Sequence, residues 1–491
     1  MLTIQRRMSR PFLILLALPA TAMGFALSVQ ISVLSWILST RYGLRLDEIG
    51  LVWAAGPLAG ILGQLLVGFI SDGVWFWGGR RRPFIIVGGL LSALMILTLP
   101  GIGLISKALG FETIVGVAIA VALGLDLSIN VSFNPTRAIV ADLTADDRSR
   151  TRGYAWMQTV SGVFGVLAYA IGAVFGNYVL IYVAAVVVLL FSIVPALLIV
   201  EPRVLPQASG GAGNGAQAQR PGIARLLFVL MPLWGLIAYD VIAMSLRLLG
   251  IQSHGYALEL ACGLVTAVVC VFTFAARDRG AEFVREDLVE FRKVLAAHAF
   301  SWLGVQTMFV YMISFVRQRF PLLGADSAGQ VLSVSFLVLN AVGALMPAFI
   351  LEPLTRRFGQ LGTHASCLGV MAVGYLAVYA FGTTPPVLYT LMAVLGVGWA
   401  AIVSLPFAIM SERVESSRIG LYMGVFNLAV VVPQLVVSLG IGTLVERLQD
   451  KGAIFLIAAG SLSLSALGWL FVRRGVSAPV PVVAVAGGHA S

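Results

Sequence analysis

The stretch GLDLSINVSFNPTRAIVAD, residues 124–142, places an aspartate and an arginine inside an otherwise apolar run. A membrane helix does not carry such charges without a partner or a task. At 100° per residue, Asp126, Asn130, Asn134 and Arg137 share one face, and the step from Asp126 to Arg137 rises roughly 16 Å along the axis. A polar stripe therefore runs through about half the hydrocarbon thickness of a bilayer. The separation is too long for a direct ion pair in a straight helix, so each charge needs another partner, water or a solute, unless Pro135 bends the path. A structural pair tying helices together and a pair lining a permeation path both fit the stripe; the spacing favours the path.

Outward from this stretch the chain stays apolar. A mean hydropathy of +0.97, with 59% hydrophobic and 11% charged residues over 491 positions, excludes a soluble globular protein and indicates an all-α polytopic membrane protein. Apolar spans lie near 11–39, 49–71, 83–106, 113–141, 153–175, 178–200, 225–246, 256–276, 295–316, 330–352, 361–382, 386–410, 419–444 and 453–472, fourteen in all. Arg6, Arg7 and Arg10 precede the first run, which has no cleavage signal and reads as a retained helix.

An even number of spans puts both termini on one side. Lys and Arg in alternate segments total 23 on the terminal side and 8 on the other, which makes the termini cytoplasmic under the positive-inside rule. Arg137 is the remaining basic residue of 32. The net charge of +10 is thus accounted for by topology, and no nucleic-acid surface is expected. Cys262, Cys270 and Cys367 lie in apolar runs without ligand spacing and read as packing residues.

The halves echo each other. Residues 135–157, PTRAIVADLTADDRSRTRGYAWM, and 406–423, PFAIMSERVESSRIGLYM, share the order Pro, Ala-Ile, carboxylate, basic loop, Arg and Met; Arg152 pairs with Arg418 and Met157 with Met423 at an offset of 266. Repeated six-helix halves are how many secondary transporters are built, with the site between them at the midplane. The expected organisation is an N-terminal bundle (1–205), a flexible linker (206–222), an inserted helix pair (223–280), an amphipathic surface segment or extension of the next span (281–294), a C-terminal bundle (295–474) and a disordered tail (475–491).

At this level of detail the chain resembles a known family. GQLLVGFISDGVWFWGGRRRPF (63–84) looks like the loop between helices two and three in major facilitator proteins of the glycoside-pentoside-hexuronide group, above all its sucrose transporter branch. The 124–142 stretch resembles that branch's fourth helix, FSWLG (300–304) the start of its seventh, and LPFAIMSERVESSRIGLYMGVFNLAVVVPQLVVS (405–438) its tenth and eleventh. The resemblance implies the major facilitator fold, two six-helix bundles, here with two extra helices. It also implies proton-coupled symport of a sucrose- or maltose-like disaccharide or glucoside, with Asp126 as the protonation site and Arg137 as its fixed charge. Gly73 and Ser28 depart from the family's usual Arg and Gln, the seventh helix lacks the acidic cluster of plant members, and the extra pair has no counterpart in them.

Sugar hydroxyls want amides and carboxylates, and sugar C–H faces want aromatic walls. By depth and type the substrate-binding candidates are Asn130, Asn134, Gln64, Trp53, Gln158, Trp302, Asn427 and Gln434, with Trp156 beside them; for each amide a helix-to-helix hydrogen bond is an equal alternative. Asp72 with Arg80, Arg81 and Arg82, and Glu412 with Arg413 and Arg418, sit at cytoplasmic helix ends, where they are expected to form gate salt bridges that break as the halves rock; Asp142 and Arg152 are further gate candidates. Asp240, inside the extra pair, is expected to pair locally with Arg247. The four histidines, His254, His298, His364 and His489, read as loop, helix-end or tail residues without a metal cluster, and no nucleophile–base constellation suggests an enzyme.

The expected function is a monomeric inner-membrane (plasma-membrane) transporter that binds no cofactor and uses protons as coupling ion. The alternatives are a transporter of another small organic solute and a non-transporting pigment-assembly factor of the same superfamily.

Overall fold

The structure, a computed structural model, describes residues 9–61, 63, 70, 74–111, 113–144, 147–201, 223–251, 255–276, 288–411, 413 and 419–473. Fourteen helices are numbered here by the span each belongs to. The N-terminal half holds α1 (Arg10–Thr40), α2 (Leu46–Trp53), α3 (Arg82–Thr98), α4 (Ile114–Leu143), α5 (Asp147–Phe175) and α6 (Asn177–Leu198). The inserted pair is α7 (Trp234–Leu248) and α8 (Ala257–Ala275). The C-terminal half holds α9 (Leu288–Arg319), α10 (Ala325–Met346), α11 (Glu352–Phe381), α12 (Pro385–Ser411), α13 (Ile419–Val436) and α14 (Ala453–Leu470). Thirteen stretches among the described residues are long and apolar enough to cross a membrane, and each coincides with an expected span. The other expected span, 49–71, falls partly outside the described residues.

The packing repeats. In the first half α1 packs on α5 and α6 while α3 packs on α4 and α6; in the second, α9 packs on α13 and α14 while α11 packs on α12 and α14. Lipid gives helices no hydrophobic reason to associate, so close contact depends on small residues. Gly88 and Gly89 on α3 show this: a Cβ there would come within 2.8 Å of Ser132 on α4 and 2.1 Å of Ser192 on α6. Gly359, with φ of 76°, breaks α11 and turns its first two turns away from the spanning part, a conformation that glycine reaches without steric cost.

The two halves meet at the face away from residues 9 and 473, which is here called the distal face. Trp36 donates to the Ala325 carbonyl at 2.7 Å, Ser32 and Ser333 share a 2.7 Å bond, Arg317 donates to Ser39, and the Leu46 amide donates to Glu446. A Cβ on Gly50 would stand 2.4 Å from both the Ser438 carbonyl oxygen and the Tyr311 hydroxyl, so α2 and the π-turn Val437–Ile441 lie backbone to backbone.

Residues 281–287 of the expected amphipathic segment lie outside the described residues, and from Leu288 onward the chain is already α9; Phe291, Arg292, Lys293 and Val294 are buried, so this part extends the span instead of lying on the surface. The inserted pair also packs on the core: α7 rests against α13 and its π-turn, and α8 against α9.

Candidate functional site

Helix α4 continues through Pro135 and keeps the polar stripe on one face. Asp126 is buried, and its Oδ2 accepts a 2.8 Å bond from Gln30 Nε2 on α1. Gly56, after α2, leaves room for the carboxyl, since a Cβ there would come within 3.3 Å of Oδ2. The amide that the family resemblance expects at position 28 thus stands at Gln30, while Ser28 donates to its own helix at Gly24. One turn below, Asn130 Nδ2 donates to the Asp126 carbonyl at 2.8 Å, and Gly63 packs on the Asn130 Cβ. Asn134 is half-buried on the same face.

Arg137 lies apart from Asp126, as the helical spacing requires. Its guanidinium carbon sits 4.1 Å from the Phe133 ring centroid and its carbonyl accepts the Tyr154 hydroxyl. The cation is exposed, in contrast to the buried carboxyl.

The second half contributes an aromatic and amide cluster that the sequence indicated only in part. Trp302 on α9 donates Nε1–H to His298 Nε2 at 3.0 Å and meets Trp399 of α12 edge to face at 6.0 Å. Trp399 in turn donates to Asn340 Oδ1 on α10 at 3.1 Å and packs edge to face on Phe309. Gln434 on α13 reaches Gln306 on α9 at 3.3 Å, and Asn427, two turns earlier on the same face, is half-buried. Tyr169 of α5 lies between Ser28 and Asn340, and so joins the halves at this level. Amides and perpendicular indoles of this kind suit a polyhydroxylated ligand with apolar C–H faces.

The remaining expected residues lie in several environments or outside the described residues. Trp53 is buried and donates to Ser35 Oγ at 2.8 Å, which makes it a helix-to-helix contact. Gln158 is exposed, Trp156 packs in an apolar cluster with Val140 and Met157, and Gln64 lies outside the described residues. His298 and His364 are buried inside α9 and α11, not at helix ends. His298 could have been found from its i,i+4 spacing to Trp302; Gln30, Gln306, Asn340 and Trp399 carried no signal beyond being polar or aromatic in a span. Among the described residues no three His, Cys, Asp or Glu side chains could hold a metal ion.

The basic loop turns out to anchor its own half. Glu201, at the end of α6, accepts the backbone N–H groups of Arg80, Arg81 and Arg82 at 2.8, 2.9 and 2.7 Å. Those donors sit at the start of α3, where the helix dipole favours a carboxylate. Arg81 Nε bonds Asp142 Oδ2 at 3.1 Å, both side chains nearly buried, and Arg82 reaches the Ala196 carbonyl. Of the further gate candidates, Asp142 pairs with Arg81 within one half, and Arg152 is exposed on α5. In the second half Arg413 donates to Arg473 O, and Glu290 accepts the Arg473 N–H and Lys293 Nζ. Asp72, Glu412 and Arg418 lie outside the described residues.

The chain is similar to proteins already characterised. The Sucrose transport protein SUC4 of Arabidopsis thaliana is 25% identical over 467 residues, covering 89% of this chain and 84% of the relative. The Sucrose transport protein SUT2 of Oryza sativa subsp. indica is 27% identical, covering 86% and 84%. A General alpha-glucoside permease of Schizosaccharomyces pombe is 33% identical over 179 residues, 33% of this chain and 31% of the permease. Among solved structures, a D-xylose-proton symporter superposes with a TM-score of 0.60 at 13% identity over 94% of this chain and 97% of that one, which shows a shared fold. The sequence pattern of the Major Facilitator Superfamily matches residues 16–437. With that pattern running through both six-helix halves, the chain is a multi-pass membrane protein of the Major Facilitator Superfamily.

Proposed function

We propose that the protein is a proton-coupled symporter of a disaccharide or glucoside of the sucrose and maltose class, working by alternating access. The observation that carries this reading is the Asp126 carboxyl, buried on Gln30 one turn from Asn130, in a fold whose second half supplies Trp302, Trp399 and Gln434. Similarity to sucrose transport proteins over most of both chains supports the substrate class. Asp126 binds the proton and, once neutral, holds Gln30 less strongly, so that Gln30 and the neighbouring amides exchange more readily to sugar hydroxyls. Arg137 supplies the fixed charge of the stripe. The positive-inside orientation makes the distal face the outer one, so the sealed distal contacts correspond to an inward-facing state.

Purified protein in proteoliposomes, screened with labelled mono- and disaccharides, tests this. Uptake of a sucrose- or maltose-class sugar above its equilibrium level, dependent on an inward proton gradient and abolished by a protonophore, is expected. Accumulation indifferent to the protonophore would remove the coupling, and transport of other solutes but no glucoside would remove the substrate class.

A further inference from the structure

Asp240 lies in the middle of α7 with 7% exposure, as buried as Asp126 at 6%. Neither of its carboxyl oxygens has a hydrogen-bond partner. The expected pairing with Arg247 does not form, because that guanidinium donates to the Leu439 carbonyl at 2.8 Å. The other ionisable groups near it are Tyr239 on α7 with Glu259 and Cys262 on α8; Glu259 Oε2 is itself buried without a partner. From the core, the surfaces packed on this part of α7 present Ala54, Leu435, Leu439 and Gly440, all uncharged. His254, in the loop between α7 and α8, lies outside the described residues.

The place matters as much as the isolation. A Cβ on Gly440 would stand 2.4 Å from the Tyr239 hydroxyl, so α7 leans directly on the π-turn 437–441. The same turn faces α2 through Ser438, and Gly442 just after it would meet the Leu46 carbonyl at 2.6 Å. One short segment thus seals the distal seam on one side and receives the inserted pair on the other.

We propose that Asp240 is a second proton-binding site, outside the sugar path, whose neutral form keeps the inserted pair docked on the 437–441 turn and so holds the distal seam closed. An unpaired carboxylate in a dehydrated apolar contact is disfavoured far more than the neutral acid. When the O–H bond breaks and the proton passes to water at the distal face, the remaining carboxylate needs hydration, which it gains only if α7 lifts from the turn. Lifting removes the support of Tyr239 and Arg247 from the segment that touches α2, and the seam opens more readily. The inference rests on alternating access, but neither on the sugar nor on the role of Asp126.

The test uses the full chain in lipid nanodiscs, with Cys262, Cys270 and Cys367 changed to Ala and spin labels at Arg45→Cys and Gln449→Cys, two exposed positions on opposite sides of the distal seam. Electron–electron distances are read while the pH is raised from acid to alkaline. The parent should shift from a short to a longer distance; Asp240→Asn, which keeps the shape of the neutral acid, should stay short throughout; Asp240→Glu, which restores a titrating group, should shift again. Asp126→Asn, whatever its starting distance, should still lengthen with rising pH, because Asp240 is intact. A parent that does not respond, an Asp240→Asn that responds like the parent, or an Asp240→Glu locked like the Asn variant overturns the inference. A response lost in Asp126→Asn and kept in Asp240→Asn overturns it while leaving the proposed function intact.

Discussion

At the scale of single residues, the proposed mechanism gives Asp126 and Arg137 separate tasks, since eleven residues of α4 keep them too far apart to pair. Asn at position 126 matches the protonated acid in size and can still accept from Gln30, but it releases no proton. Asp126→Asn is therefore expected to keep sugar binding and sugar exchange across the membrane while losing uphill uptake driven by a proton gradient; continued accumulation with proton influx would make Asp126 structural. Arg137→Lys keeps the charge and loses the planar group that stacks on Phe133. It should weaken sugar affinity with coupling retained, seen as a raised KM and an unchanged ratio of protons to sugar. Both charges were legible from the sequence because an ionisable residue in an apolar run stands out against its neighbours. Gln30 was not, since a lone amide in a span looks the same whether it meets a backbone carbonyl, a solute or the carboxyl that it does meet.

At the scale of elements, a carboxylate at one helix end holds the backbone of a neighbouring end in both halves. Glu201 collects three N–H groups at the start of α3. Glu201→Ala would leave buried donors without an acceptor, and hydrogen bonds to a charged group contribute about 1.5–3 kcal/mol. Thermal unfolding of the purified variant in detergent should show a lower midpoint with sugar affinity nearly unchanged, and an unaltered midpoint would assign those amides to water. The sequence presented GRRRPF as a run of arginine side chains, so charge suggested a gate; what the structure uses at all three positions is the backbone N–H, which every residue but proline has. Periodicity located the spans well because each is a long apolar run, and it failed where buried charges interrupt the run. Glu290, Arg292 and Lys293 are buried in the first two turns of α9, and their charges moved the expected start of that span to 295. The same shift made His298 look like a helix-end residue, and the His298–Trp302 contact went unseen.

At the scale of the whole molecule, the fold places two rigid halves around a seam that is closed on one face by glycines and short polar side chains. Glycine at 50 and 442 allows backbone contact between α2 and the end of the eleventh core span, and Ser32–Ser333 adds a bond that either partner can remake with water. Such a closure is tight in packing but weak in bonding, as suits a gate that must open on every cycle. A single cysteine at Leu322, fully exposed in the distal loop, should be labelled by an impermeant thiol reagent in intact cells, while one at Gly211 in the linker should be shielded; the reverse pattern would invert the orientation. The gate itself is tested by overfilling it. Gly50→Val places branched carbons where the Ser438 carbonyl and the Tyr311 hydroxyl already stand 2.4 Å from an added Cβ, and neither the backbone of the π-turn nor a buried tyrosine can move without parting α2 from the second half. The distal-closed state is thereby penalised, while the distal-open state, in which this contact does not exist, is unaffected. In a cysteine-free background carrying Ser32→Cys, the rate of labelling from the distal side should rise in Gly50→Val relative to its Gly50 parent, and net uptake should fall because the return to the closed state becomes the slow step. An unchanged labelling rate in a folded variant would show that the seam opens elsewhere and that the contact at Gly50 is bystander packing.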